Sequence, residues 1–265
     1  MATVISNSLV ISQQGLTSPN NPRLCWENIV TPTSVTATSQ QPLQPVQNLA
    51  NPSTSFAWQA TSTSQQDIVI SAGQAVDYVG IARHNLEQNA EYRLNIVVDG
   101  ATFTIVPWSN VPPRQALLLL FNEAAPDQIV LSVRNNPEPP RIAVLYTGLS
   151  TVLQRRIYVG HTPITYGRNL SVVGGMSESG QYLGELIRRE SRSTSVKMEN
   201  LTPDWYRSEL DPFFAQRPRK PCFWAWRPDS YSAEVAYAWL SGDPSVSNQR
   251  ANGMMETSFD LEAIA

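Results

Sequence analysis

The chain is short of the residues on which most chemistry rests. Its 265 residues include two cysteines and two histidines, and only 15% are charged. Cys25 and Cys222 cannot build a disulfide framework, and two thiols so far apart in sequence are more often small buried hydrophobes than a site. Assembly in a reducing cytoplasm is the simplest expectation. His84 and His161 have no cysteine, histidine or acid at ligand spacing, which argues against a transition-metal centre. Asp67, Asp77 and Asp99 are too dispersed for an EF-hand-like calcium loop. A net charge of −3 leaves no basic footprint for nucleic acid. Long apolar runs are missing too: the longest, from Ala116 to Phe121, is six residues, against about 20 for a membrane-spanning helix. The opening MATVISNSLVIS has neither a basic nor a continuous apolar region, so a cleaved leader is not expected.

Catalytic signatures are equally sparse. Gly175-Met176-Ser177-Glu178-Ser179 has the first glycine and the serine of a nucleophile elbow, but Ser179 stands where the closing glycine belongs. Gly174-Gly175 is a turn signal rather than a phosphate loop, and no acid sits in a recognisable glycosidase context. Neither enzymatic activity nor a cofactor is expected. Arg188, Arg189, Arg192 and Lys197 form a modest basic patch offset by Glu185, Glu190 and Glu199, which reads as a solvated, salt-bridged face.

What is present points to short strands and turns. Twenty prolines, 13 glycines and 9% aromatics suit a mainly β protein. Residues 1–66 carry only two charges, Arg23 and Glu27, yet apolar residues punctuate them, so residues 1–45 read as an extended arm. From 46 to 150 the pattern is that of a β-sandwich. Tyr92, Leu94, Ile96 and Val98 alternate with polar residues, and Asp99-Gly100 supplies the positive-φ pair of a tight hairpin. Leu117–Phe121 and Ile129–Val133 read as strands buried on both faces, and Ile142–Tyr146 closes the set. Residues 151–265 read as a second β-rich, belt-like domain with one short helix. Strands are expected at Arg155–Gly160, Leu170–Val173, around Val196 and Met198, and along Met255–Leu261. Thr202-Pro203-Asp204 has a hydroxyl cap, proline at the first helical position and an acid at the positive end of the dipole; Pro212 is expected to break or kink that helix. Between Pro221 and Leu240 six aromatics crowd twenty residues. On a strand Trp224 and Trp226 face one way and Phe223 the other, so both faces need cover, from the chain itself or from another subunit.

Two resemblances organise these observations. Asn48, Thr54, Trp58, Gln66, Ile68, Ile70, Gly73, Val76, Asp77, Val79 and Ile81 follow in the order seen in galactose-binding-like (discoidin-type) β-sandwiches. The second half is similar to tail-tip or distal-tail proteins of tailed bacteriophages. The similar pieces are Arg-Arg-Ile-Tyr-Val-Gly from Arg155, Ser-Glu-Ser-Gly-Gln from Ser177, Leu-Thr-Pro-Asp-Trp-Tyr-Arg from Leu201, Phe-Trp-Ala-Trp-Arg-Pro from Phe223 and Ser-Asn-Gln-Arg-Ala-Asn-Gly from Ser247. In well-known distal-tail proteins the belt domain comes first, whereas here the sandwich precedes it. The resemblance implies a non-enzymatic virion protein of a tail tip or baseplate, assembled in the host cytoplasm. Its partners would be copies of itself in a trimeric or hexameric ring, other tail proteins and host surface glycan. Phe223, Trp224, Trp226 and Arg227, with the arm, would form the ring contact. The alternative is a stand-alone carbohydrate-binding protein, or lectin, using Trp58, His84, Asn85, Trp108 and Asn110. A tail-associated glycan hydrolase is the third reading.

Overall fold

Residues alternating at a spacing of two, or apolar without interruption, become strands almost everywhere in the computed structural model. It describes residues 3–5, 16, 18–111, 115–157, 160–216, 218–249 and 253–264. Three short strands come first, β1 (Thr3–Ile5), β2 (Arg23–Cys25) and β3 (Val35–Ala37), then a 3-10 turn at Val46–Ala50. The sandwich follows with β4 (Trp58–Gln59), β5 (Gln66–Ser71), β6 (Val76–His84) and β7 (Glu91–Val98). β8 (Ala101–Asn110), β9 (Leu117–Ala124), β10 (Gln128–Arg134) and β11 (Arg141–Gly148) complete it. Beyond lie β12 (Thr151–Val152), β13 (Arg168–Met176) and the long β14 (Tyr182–Leu201). A helical segment leads to β15 (Cys222–Ala225), β16 (Val235–Leu240), β17 (Ser245–Gln249) and β18 (Met254–Ile264).

The strands form three sheets. An outer sheet runs β3-β5-β10-β7-β8, and a middle sheet β1-β9-β6-β11-β4. The third has eight strands, in the order β12-β2-β15-β16-β18-β14-β13, with β17 paired to β18. One core lies between the outer and middle sheets and contains Trp58, Ile70, Leu94, Leu119 and Ile142. A second joins the middle sheet to the third, through Tyr78, Leu118, Val144, Tyr146, Phe223 and Tyr237. The middle sheet is therefore covered on both faces, which is why β9 and β11 are almost continuously apolar. A third core on the far side of the third sheet packs Trp224, Phe259 and Leu261 against the helical residues Leu210, Phe213 and Phe214.

Contact between layers is close at Gly80 of β6. A Cβ there would lie 2.7–2.9 Å from the Phe223 ring, so only glycine lets that ring seat on the strand. The expected arm is woven through the layers of its own chain: β1 pairs in parallel with β9, β2 joins β15, and β3 joins β5. Its described parts thus bridge sheets of the one chain; residues 1, 2, 6–15 and 17 lie outside the described residues. At the Asp99-Gly100 turn both residues have positive φ, as a tight hairpin requires. Arg155–Ile157 are not in a strand, and Tyr158 and Val159 lie outside the described residues.

The helix starts at Pro203 as expected, but Thr202 does not cap it with its side chain; its hydroxyl accepts from Gln154 at 2.8 Å. Pro212 does not end the helix either. A π-helical turn, Tyr206–Leu210, comes before it, and α-helix restarts at Asp211 with the proline in its first turn. Both cysteines are buried and free; Cys25 contributes to the core between sheets, and Cys222 to the core on the opposite face.

Candidate functional site

The aromatic strand expected to meet another subunit is covered by the chain itself. Phe223 and Trp224 are fully buried and Trp226 is 9% exposed. Phe223 packs edge-on against Tyr146 at 5.9 Å and beside Tyr237 at 5.2 Å. On the opposite face Trp224 meets Phe259, and Trp226 stacks on Tyr231 at 5.4 Å and donates its indole N–H to the Glu234 carboxylate. Arg227 lies over the Trp226 ring at 5.1 Å. The three aromatics hold layers of the one chain together, and of the four residues expected at a ring contact only Arg227 keeps a half-exposed side chain.

The five residues expected to form a sugar-binding loop do not converge into an exposed platform. Trp58 is fully buried and donates to the Ser39 carbonyl at 2.9 Å. His84 is 7% exposed. Its Nδ1 accepts the Leu86 amide, so the ring proton sits on Nε2 and bonds the Gln115 carbonyl at 2.7 Å. Burial lowers this histidine to about 4. Asn85 is held on both sides, donating to the Pro139 carbonyl and accepting the Arg141 amide. Trp58 and His84 flank Ile142 in the middle sheet, whereas Trp108 and Asn110 are in the outer one. Trp108 is half-buried, with the Arg93 and Arg134 guanidinium groups 4.7 and 4.0 Å from its ring. Only Asn110 is openly exposed.

A different element offers a contact surface. β13 and the first part of β14 form a two-stranded ribbon, because β18 joins β14 only from Ser191 onward. Over 168–190 every residue is exposed except Ser177 and Gly184, which are intermediate. Eight large hydrophobics lie open there: Leu170, Val172, Val173, Met176, Tyr182, Leu183, Leu186 and Ile187, each 41–72% exposed. The register opposes Val172 to Ile187, Val173 to Leu186 and Met176 to Tyr182. Since Val172 and Val173 point to opposite faces, both sides of the ribbon are apolar. An isolated two-stranded ribbon is at best marginally stable in water, and an open apolar patch of several hundred Å² marks a contact site.

A cleft of about 580 Å³ opens between the middle and third sheets. Arg83 comes from β6, Arg168 from the start of β13 and Arg192 from β14. Tyr166 and Tyr231, 65% and 46% exposed, stand at its walls. Glu234 is the acid lining it, and it is occupied by the Trp226 N–H. Arg192 Nε and Thr165 Oγ1 are buried without a hydrogen-bond partner. Arg83 has φ +52°, a left-handed backbone that is strained for this residue within a strand.

None of the protein-family models matches the chain, and no curated protein does. Solved structures do. A galactose-bound family 32 carbohydrate-binding module from Clostridium perfringens matches at 14% identity, over 48% of this chain and 98% of its own, with a TM-score of 0.40. A chitosan-binding module of a Paenibacillus chitosanase/glucanase matches at 14% identity, over 46% and 98%, with a TM-score of 0.37. A pectin-binding module matches at 12% identity, over 46% and 91%, with a TM-score of 0.36. A likeness this slight carries no argument about function; the mainly β class is plain from the sheets themselves.

One buried polar cluster ties the layers where the sandwich hands over to the third sheet. Asp77 of β6 accepts the Ser150 amide at 2.7 Å and its hydroxyl at 2.5 Å, with Arg23 of β2 at 3.5 Å. Burial raises Asp77 to about 6, against the opposing pull of Ser150 and Arg23. Among the described residues no three metal-ligating side chains converge.

Proposed function

We propose that this protein is a non-enzymatic structural subunit of a phage tail tip or baseplate, assembling with copies of itself into a ring and contacting neighbouring tail proteins. The observation that supports self-assembly is the β13–β14 ribbon with both faces apolar and open. Nine residues of β13 make it roughly 30 Å long. Two open faces of that length approach the ~800 Å² per partner of a stable interface. Residues 168–190 carry three arginines and three glutamates, so no net charge favours nucleic acid or an anionic membrane. A second copy of similar composition suits the ribbon better. A ribbon seated on a different surface of the next copy makes a heterologous contact that repeats until it closes. The tail setting, in the virion after assembly in the host cytoplasm, rests on the sequence resemblance.

Light scattering on purified protein tests this. A discrete trimer or hexamer is expected, and Val173→Glu with Leu186→Glu should reduce it to a folded monomer. Wild-type protein that stays monomeric up to roughly the micromolar concentrations of ordinary assembly, or an oligomer indifferent to both charges, would rule out the ribbon as the contact.

A second reading, a carbohydrate-binding protein, is favoured by one observation: the cleft with its two exposed tyrosines. Galactose, chitosan and pectin are the ligands of the matched modules; none is carried over to this chain. Saturable binding on a glycan array would support this reading, alone or beside assembly.

A further inference from the structure

We infer that the cleft between the middle and third sheets binds a saccharide bearing a carboxylate, a uronic or sialic acid residue. This names the ligand class for the carbohydrate-binding reading, on which it rests, and is independent of ribbon assembly. Size comes first: about 580 Å³ lies within the range of small-ligand sites and accommodates one or two sugar rings.

Charge comes second. Among the described residues Arg83, Arg168 and Arg192 approach the cleft from three separate strands against one lining acid, Glu234, which accepts the Trp226 N–H, so the lining keeps a net positive charge. A guanidinium presents a planar fork that matches a carboxylate with two parallel hydrogen bonds. Arg83 and Arg168 are exposed, so a ligand entering the cleft reaches both guanidinium groups.

Rigidity and shape come third. Tyr231 is fixed by stacking on Trp226 at an interplanar angle of 4° and by its amide, which donates to the Arg227 carbonyl at 2.8 Å. The ring is 46% exposed, with the Arg227 guanidinium 5.9 Å from its centre, and an aromatic ring held this way loses little entropy when the C–H face of a pyranose packs on it. The strained backbone of Arg83 is the kind of local cost that persists where a side chain must be aimed. A neutral sugar would use the tyrosines and leave the arginines unanswered; a bare anion would use the arginines and leave the tyrosines bare.

The test is a titration of the full chain followed by tyrosine and tryptophan fluorescence, with sialyllactose, a galacturonate oligomer, lactose and inorganic phosphate as probes. Saturable binding of one acidic saccharide with Kd near 1 mM or tighter is expected, with lactose and phosphate at least about tenfold weaker. Arg192→Gln and Tyr231→Ala should each weaken it at least about tenfold while circular dichroism and oligomeric mass stay unchanged. Arg168→Gln, at an exposed position, serves if Arg192→Gln misfolds. Lactose binding as well as the acidic sugars would overturn the acidic class and leave the carbohydrate reading standing. Equal competition by phosphate would reduce the cleft to a small-anion site. No saccharide bound at roughly 10 mM, or full affinity in the Arg192 and Arg168 variants, would overturn the site itself.

Discussion

Gly80 decides how closely the sandwich and the third sheet can approach. A methyl group there would meet the Phe223 ring at under 3 Å, so Gly80→Ala should destabilise by about 1–3 kcal/mol, measured by urea unfolding. Phe223→Leu should recover part of that loss in the double variant, because the two residues share one contact. Two buried ionisable groups set opposite pH dependences. His84 lies at about 4 when folded, below the ordinary 6.5, so its contribution is intact above 6.5 and is lost as pH falls towards 4. Asp77 lies at about 6, above the ordinary 3.8, so its contribution is intact below 3.8 and is lost as pH rises through 6. Each shift corresponds to about 3 kcal/mol, and the two largely cancel in the intact protein. Single variants separate them: unfolding free energy should fall on acidification in Asp77→Asn and rise in His84→Asn. The same slope in both variants would contradict the assignment.

Strands of the sandwich were legible from the sequence because burial leaves a period: β7 alternates, β9 and β11 carry apolar runs of five residues, and Asp99-Gly100 announces its turn. β15 was legible as a strand with both faces covered. What covered it was not, since periodicity records that a face is buried and not which layer buries it. The arm is legible as an extended segment but not as three strands, because β1, β2 and β3 are three-residue pieces, too short to carry a pattern. Of the ribbon, Leu170–Val173 is legible as a strand and its partner, the first part of β14, is not. The ribbon's Gly174-Gly175 pair and its charges imitate a loop, and two bulges break the alternation that would have shown eight apolar residues on one hairpin. Arg192 looked like one more charge on a solvated face; only the fold brings it beside Arg83, more than a hundred residues away. At this scale the ribbon should be separable from the body. Replacing residues 170–190 by an Asn-Gly turn should change unfolding free energy by no more than about 1 kcal/mol, since those residues are almost all exposed and the Arg189–Glu262 pair to the body is a surface ion pair. A loss of more than about 3 kcal/mol would mean the ribbon belongs to the core.

The whole molecule joins a three-layer body, whose middle sheet packs against a core on each face, to a projecting ribbon whose faces are both apolar and exposed. Within one chain nothing relieves that contrast; a neighbouring copy would. The aromatics of β15 cement the layers, and the proposed contact lies on a hairpin with no tryptophan at all. Amide hydrogen exchange over residues 168–190, followed across protein concentration, tests assembly through the ribbon most directly. Burial against a second copy predicts exchange that slows as concentration rises, in step with oligomeric mass, while the body exchanges at one slow rate throughout. Fast ribbon exchange at every concentration where the protein is oligomeric would contradict it.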